Sequence, residues 1–323
     1  LEDVMKLITY KLTKMKILNI RSFKIDKNLR TVIGIGKFDG FHIGHQKIVK
    51  EIINLSHQLN CIPCVFTFRD YPFDTTLSLW DEKLEAFREN SIEICLWADF
   101  FEIHKLTPQD FLNMMKERCN MAGIVVGENF RFGFRREGDI SYLKSWAVSG
   151  CVEVRVVKTV IIDNRVVSSS EIKRLIKNSD FFHASLFLGR WFTIEGSFIK
   201  GRGIGKTIGF PTINIDVRNK NSPLQNGVYA CTVIYKGELF KAVAFYGSSP
   251  TFKSPLSLEI HIIEDKSIVV DEDEIFSIIP VKKIREIKRF SNVEDLANQI
   301  RMDVKEAMEI LNSFNFDKIL SSA

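Results

Sequence analysis

The chain reads as two domains of different class: an α/β half over residues 1–187, built on a parallel sheet, then an antiparallel β-barrel over residues 188–323 with a terminal helix. Three patterns predict this. Short apolar runs alternate with helical stretches in the first half, which argues a parallel sheet with helices on both faces. Short strands joined by turns follow residue 187, the spacing of an antiparallel barrel. An amphipathic run then closes the chain. A length of 323 residues suits two such domains, and 45% hydrophobic against 26% charged residues lets each bury a full core.

The first half opens on an apolar run at 31–35, followed by Ile48, Val49, Ile52, Ile53, Leu55 and Leu59 at helical spacing. Residues 61–68 read as a strand, with Cys64, Phe66 and Phe68 on one face by period-two spacing. A helix near 81–89 and a strand at 92–96 come next. Thr107 caps a further helix, with Pro108 at its first position and Asp110 in its first turn. Residues 122–126 form another strand, and a glycine-punctuated loop follows. A short helix at 181–188 is closed by Gly189. The barrel strands are expected at 191–199, 227–235, 239–245, 256–263 and 275–279, with a turn at Lys236-Gly237. The last helix starts near Val293 and carries Leu296, Ile300, Val304, Ala307, Ile310 and Leu311 on its apolar side.

The formal charge of +5 fits a protein that handles anions, yet it does not separate an enzyme from a binding module. Basic residues are scattered with no repeating aromatic and basic platform, which argues against nucleic acid as a partner. No apolar run approaches the roughly 18 residues of a membrane span. Lys6, Lys11, Lys14, Lys16, Arg21 and Lys24 interrupt the first thirty residues, so a cytoplasmic location is expected. Of the six cysteines only Cys61 and Cys64 are close, with no second pair to complete a four-thiolate zinc site. Buried small hydrophobes are the expectation for them.

Residues 36–45, GKFDGFHIGH, carry the densest chemistry. They lie between a strand and a helix. Glycines 36, 40 and 44 leave the backbone open to a ligand's phosphates, and the helix start points free N–H groups at that space. His42 and His45, three apart, face the same way and can donate hydrogen bonds to phosphate oxygens. The pattern has neither the Gly-Lys-Ser/Thr ending of a Walker loop nor the order of a dinucleotide motif. It resembles instead the HxGH signature of nucleotidylyltransferases.

Three later segments extend the resemblance. Residues 125–133, VVGENFRFG, and 167–173, VSSSEIK, look like the loop and the serine-capped helix start of the adenylyltransferase half of bacterial FAD synthetases. Residues 205–215, GKTIGFPTINI, look like the mark of riboflavin kinase, as do Gly227-Val-Tyr229, Ser249-Pro-Thr-Phe252 and Leu258-Glu-Ile-His261. In the family's order and over nearly the whole chain, these motifs resemble the prokaryotic bifunctional riboflavin kinase and FAD synthetase.

The resemblance implies a Rossmann-like nucleotidylyltransferase domain and a riboflavin kinase barrel. The first would adenylylate FMN with His42 and His45, holding ATP through Gly36, Phe38, Asp39, Gly40, Gly44, Asn129, Ser169, Ser170 and Lys173. Phe68 and Phe132 would face the flavin, although paired aromatics at a strand end serve a core as readily. In the barrel, Gly205, Lys206, Gly209, Pro211, Thr212 and Asn214 would hold a second ATP in a loop that closes over it. Thr212 and Asn214, two apart on an extended segment, offer hard oxygens suited to Mg2+. Glu259 would be the general base on the riboflavin hydroxyl and Arg285 a flavin contact. ATP, riboflavin, FMN and FAD are then small-molecule substrates or products, with no membrane or nucleic acid, for a monomer or weak homo-oligomer.

The chain departs from the family pattern mostly in its second half. Lys173 and Lys206 stand for arginines, Ile213 for a small residue, Phe245 for asparagine, and Asp271-Glu-Asp-Glu274 for an apolar and aromatic segment. These departures leave two other readings: an FAD synthetase whose barrel has a weak or silent kinase, and a non-catalytic flavin or nucleotide sensor.

Overall fold

Parallel strands need crossover connections, and from Thr31–Ile35 to Glu153–Val157 each connection of the first half contains a helix. The computed structural model describes residues 15–22, 24–26, 28–69, 75–201, 204–248, 256–263, 270 and 274–314. Its packing divides the chain into two units, one ending at Ser168 and the other running from Ser169, with Thr75–Leu77 joining the second.

The first unit holds β1 (Lys16–Asn19), β2 (Thr31–Ile35), α1 (Ile43–Leu59), β3 (Ile62–Phe68), α2 (Trp80–Glu89), β4 (Ile94–Ala98), α3 (Phe100–Ile103), α4 (Pro108–Cys119), β5 (Met121–Gly127), α5 (Ile140–Gly150), β6 (Glu153–Val157) and a hairpin of β7 (Ile161–Ile162) with β8 (Arg165–Val166). Six strands form one parallel sheet in the order β1-β4-β3-β2-β5-β6. One face packs on α4 and α5 through Phe111, Leu112, Met115 and Leu143, and takes in Cys64, Phe66 and Cys119. The other packs on α1 and α2 through Val49, Ile52, Leu55, Leu84 and Phe87. Gly34 in β2 lets α1 come this close, because a Cβ there would collide with Ile52. Cys64 is a buried hydrophobe, as its strand position implies.

The sequence reading left out β1, β6, α3, α5 and the hairpin. β1 and β6 are the two edges of the sheet. β6 alternates exposed Glu153 and Arg155 with partly buried valines, the charged pattern that protects an edge and hides it from an apolar count.

The second unit begins with α6 (Ser169–Lys177) and α7 (Phe181–Leu188), the latter closed by Gly189 in a left-handed conformation (φ 71°). It continues with β9 (Ile194–Ile199), α8 (Ile204–Thr207), β10 (Ile213–Val217), β11 (Gly227–Tyr235), β12 (Glu238–Ser248), β13 (Leu256–Ile262), β14 (Ile275–Arg285) and α9 (Val293–Ser313). The strands close a barrel in the order β10-β13-β12-β11-β14-β9, antiparallel throughout. The loop expected around Gly205 includes a short helical turn, α8. Among the described residues no helix is long and apolar enough to cross a membrane.

Val304, Ala307, Ile310 and Leu311 of α9 pack on Val228, Ala230, Val243 and Phe245. Beside that stripe lies Asp303, a carboxylate only 3% exposed, which receives Nε and Nη2 of Arg285 at 2.8 and 2.7 Å and the Gln299 amide at 3.0 Å. Removing one partner of a buried pair strands the other charge, at a cost of about 3–5 kcal/mol. Asp303→Ala should therefore lower barrel stability by that amount in urea denaturation, and Asp303→Asn, which keeps an acceptor, by less.

Candidate active sites

In the first unit the chain leaves β2 for β3 on one side and returns to β5 on the other, so the strand order reverses between β2 and β5. Loops at the carboxyl ends of such a pair diverge and leave a crevice. The turn at 36–42 follows β2, and the loop at 128–133 follows β5.

The turn is held in a costly shape. Phe38 (φ 51°), Gly40 (φ 80°) and Phe41 (φ 38°) are all left-handed. Each non-glycine residue there costs about 1–2 kcal/mol. Burial more than offsets it, at roughly 1.5–3 kcal/mol per phenylalanine: both rings are buried and meet Phe87 edge-on at 5.2 and 5.9 Å. The Phe38 side chain, expected at ATP, is thus a core anchor that shapes the turn. Asp39 and Gly40 clasp Ser78, whose N–H donates to the Asp39 carboxylate (3.2 Å) and whose hydroxyl accepts from the Gly40 N–H (2.9 Å).

His42 is the N-cap of α1, and its Nδ1 accepts the His45 N–H at 3.3 Å. That bond puts the ring proton on Nε2. The two imidazoles stack, with centroids 3.7 Å apart and planes at 17°. Gly44 gives the stack room, since a Cβ would crowd the His42 ring at 3.0 Å. His45 also meets Phe38 at 5.2 Å, and its Nδ1 is buried with no partner among the described residues. Burial, with His42 and Lys83 nearby, holds the His45 imidazole well below its ordinary pKa. It is neutral at pH 7, a hydrogen-bond donor without charge.

Beyond β5, the Asn129 amide donates to the Thr159 hydroxyl (3.1 Å). Phe132 lies in the core, 6% exposed, with Phe130 stacked over it at 5.1 Å. Phe68, at the end of β3, is partly buried against Phe66 and Phe100. Ser169, Ser170 and Lys173 open α6, a helix of the second unit.

The barrel brings its expected residues into one row. Asn214 stands opposite Glu259, Glu259 opposite Phe245, Phe245 opposite Val228, and Val228 opposite Arg285. Residues paired in this way share a face. The Thr212 hydroxyl hydrogen-bonds the Glu259 carboxyl, whose pKa burial raises and that bond partly restrains. Gly201 leaves space that a Cβ would take from the Asn214 amide, and His261 Nδ1 lies 2.9 Å from the Pro211 carbonyl, tying the strand entry down. Gly209 is left-handed (φ 85°). Arg285, expected at the flavin, is held by Asp303 and by the Glu286 carbonyl. Residues 249–252 and 271–273 lie outside the described residues.

Sequence reading missed Ser78, Lys83 and Asp303. Each is an ordinary polar residue on a helix or helix approach, and its partner is distant in the chain.

The stack generates one expectation. His42→Ala removes the ring that, after burial, is the next cause holding the His45 pKa down, so that pKa should rise toward 6.5, as read by NMR titration of the His45 ring protons.

The FAD synthetase family model matches residues 24–171, and the riboflavin kinase model matches residues 188–311. A bifunctional riboflavin kinase/FMN adenylyltransferase of Buchnera aphidicola is 29% identical over 301 residues, covering 88% of this chain and 95% of that protein. Proteins of the same description from Escherichia coli and Bacillus subtilis are 29% and 26% identical, covering 86% and 89% of this chain and 92% and 95% of theirs. A solved structure described as a macrolide-efflux protein from Streptococcus pneumoniae superposes with a TM-score of 0.76 at 22% identity, covering 93% of this chain and all of that one, and it shows a shared fold. With both models matched in order, and relatives of both functions spanning most of its length, the chain belongs to the bifunctional riboflavin kinase and FMN adenylyltransferase family.

Proposed function

We propose that this transferase makes FMN from riboflavin at the Thr212, Asn214 and Glu259 row, then adenylylates FMN to FAD, with release of pyrophosphate, at the histidine turn. The stacked His42 and His45 pair, set over the start of α1 at the reversal of strand order, is the observation that carries this reading. We assign adenylyl transfer to residues 1–187 and riboflavin phosphorylation to residues 188–323. The relatives that carry both activities in one chain favour this over a silent barrel or a sensor.

In the barrel, Glu259 takes the proton from the riboflavin 5′-hydroxyl as that oxygen bonds the γ-phosphorus of ATP, and ADP leaves. The raised pKa of Glu259 makes it a stronger base than an exposed glutamate. Thr212 Oγ1 and Asn214 Oδ1 would hold Mg2+, since they are the hard neutral oxygens that ion accepts and the Thr212 hydroxyl already stands against the Glu259 carboxyl. When bound, the ion supplies charge neutralisation at the phosphates. Phosphate contact falls to Lys206 beside them. Phe245, next to Glu259 in the row, gives the base an apolar neighbour where relatives of the pattern place an amide.

In the first unit, an FMN phosphate oxygen attacks the α-phosphorus of ATP, the bond to the β-phosphate bridge breaks, and its electron pair leaves with pyrophosphate. The α1 N–H groups and the His42 Nε2–H donate to the oxygens that gain charge. Asn129 completes the nucleotide contacts of the first unit in this reading, and Phe68 and Phe130 the flavin contacts. Small-molecule substrates suffice, and we take the chain to act in the cytoplasm as a monomer or weak homo-oligomer.

His42→Ala or His45→Ala should lower FAD formation by on the order of a hundredfold and leave FMN formation from riboflavin intact. Glu259→Gln should do the reverse, and equal loss of both activities in either variant would contradict separate sites. The pH profile of FMN formation supplies another check. A base must be ionised to act, so the rate should fall as pH drops through the Glu259 pKa, with an acid limb above the ordinary 4.5 that FAD formation from supplied FMN does not share.

A further inference from the structure

We propose that Lys83 is a catalytic residue of adenylyl transfer, whose ammonium contacts the β- and γ-phosphates of ATP and neutralises the pyrophosphate as it departs. The inference rests on the adenylyl-transfer reading of the first unit and adds a group that the motifs do not contain.

Place comes first. Lys83 lies in the first turns of α2, and its Nζ donates to the carbonyl of Phe68 at 3.1 Å. Phe68 is the last residue of β3, and β3 is the immediate neighbour of β2. The ammonium is therefore fixed at the carboxyl edge of the sheet, the edge from which the histidine turn rises.

Rigidity comes second. Leu84 and Phe87, on the same helix, are buried with Phe38 and Phe41. Phe87 meets Phe38, and Phe38 meets His45, both at 5.2 Å. The Lys83 stem folds back over the Trp80 ring, with Nζ 5.4 Å from its centroid. One packed chain of rings thus couples the position of α2 to that of the histidines. A side chain held at both its stem and its tip loses little further freedom on meeting a ligand.

Charge comes third. As the bond at the α-phosphorus breaks, negative charge grows on the bridging oxygen and the phosphates beyond it. His45 offers a hydrogen bond there but no positive charge, because burial keeps it neutral and Lys83 is one of the further causes. A cation near a buried imidazole repels its protonation, so the two groups divide the work: the imidazoles donate, and the ammonium carries the charge. No proton transfer is needed, since the electron pair leaves with the pyrophosphate. Three other charged side chains of α2 are engaged elsewhere. Glu82 caps the helix through the Leu79 N–H (2.8 Å), and Arg88 pairs with Glu85 at 2.8 Å.

The test compares wild type with Lys83→Met, Lys83→Gln and Lys83→Arg, following FAD formation from FMN and ATP and, in reverse, pyrophosphate-dependent breakdown of FAD. FMN formation from riboflavin in the same samples reports the barrel, and the thermal unfolding transition of each variant reports the first unit. Lys83→Met and Lys83→Gln should lose on the order of a hundredfold in FAD formation. The KM for pyrophosphate should rise at least about tenfold while that for FAD stays nearly unchanged, and Lys83→Arg should recover most of the rate. Gln keeps a donor for the Phe68 carbonyl, so it carries the test should Lys83→Met fail to fold. Rates within threefold of wild type in both directions would overturn the proposal. So would a loss that Arg does not rescue and that leaves the KM for pyrophosphate unmoved, which would mark a structural tie alone. A wild-type chain that makes no FAD from FMN and ATP would overturn the adenylyl-transfer reading itself.

Discussion

Everything in the first unit depends on how closely α1 can lie on β2. Gly34 removes the side chain that would hold the helix away, and Gly44 removes the one that would crowd the His42 ring. Between them the chain must reverse within a few residues, which forces Phe38 and Phe41 into left-handed conformations. The strain is sustained because both rings are sealed against Phe87. A helix capped by His42 and a stacked pair of imidazoles at the carboxyl end of the sheet are the geometric consequences. Had the rings not been buried, the same ten residues would be a flexible polar turn with no fixed direction for either histidine.

The barrel solves a related problem with register instead of strain. Antiparallel pairing sets Asn214, Glu259, Phe245, Val228 and Arg285 side by side, though they come from distant parts of the chain. A one-residue slip in any strand would turn its member of the row to the other face. The buried pair of Arg285 and Asp303 ties α9 to the last barrel strand at one end of this row. The residue expected to meet flavin is thereby the residue that anchors the terminal helix. Phe245 fills the middle of the row and packs with the apolar side of α9.

The two sites use burial in opposite ways. Burial drives the proton off His45 and leaves a neutral donor, with positive charge placed separately on Lys83. Burial of Glu259 makes its carboxylate more basic, with the Thr212 hydroxyl limiting the effect. In both cases the surroundings penalise the charged form. The outcome differs because one group is a cation when protonated and the other an anion when not.

By itself the sequence determined the two fold classes, the central strands, the last helix and the motif residues, because apolar periodicity and glycine spacing are local properties. Thr107, Pro108 and Asp110 open a helix, and Gly189 closes one, as their local chemistry requires. The edge strands β1 and β6 escaped notice, since an edge needs few apolar residues. Only the tertiary structure decided that Phe38 and Phe132 are core rings while Phe130 is the outer one, that Arg285 answers a buried aspartate, and that Lys83 stands at the carboxyl edge beside the histidines. Those outcomes rest on contacts between segments far apart in the chain, where burial and register, not local pattern, set the partner.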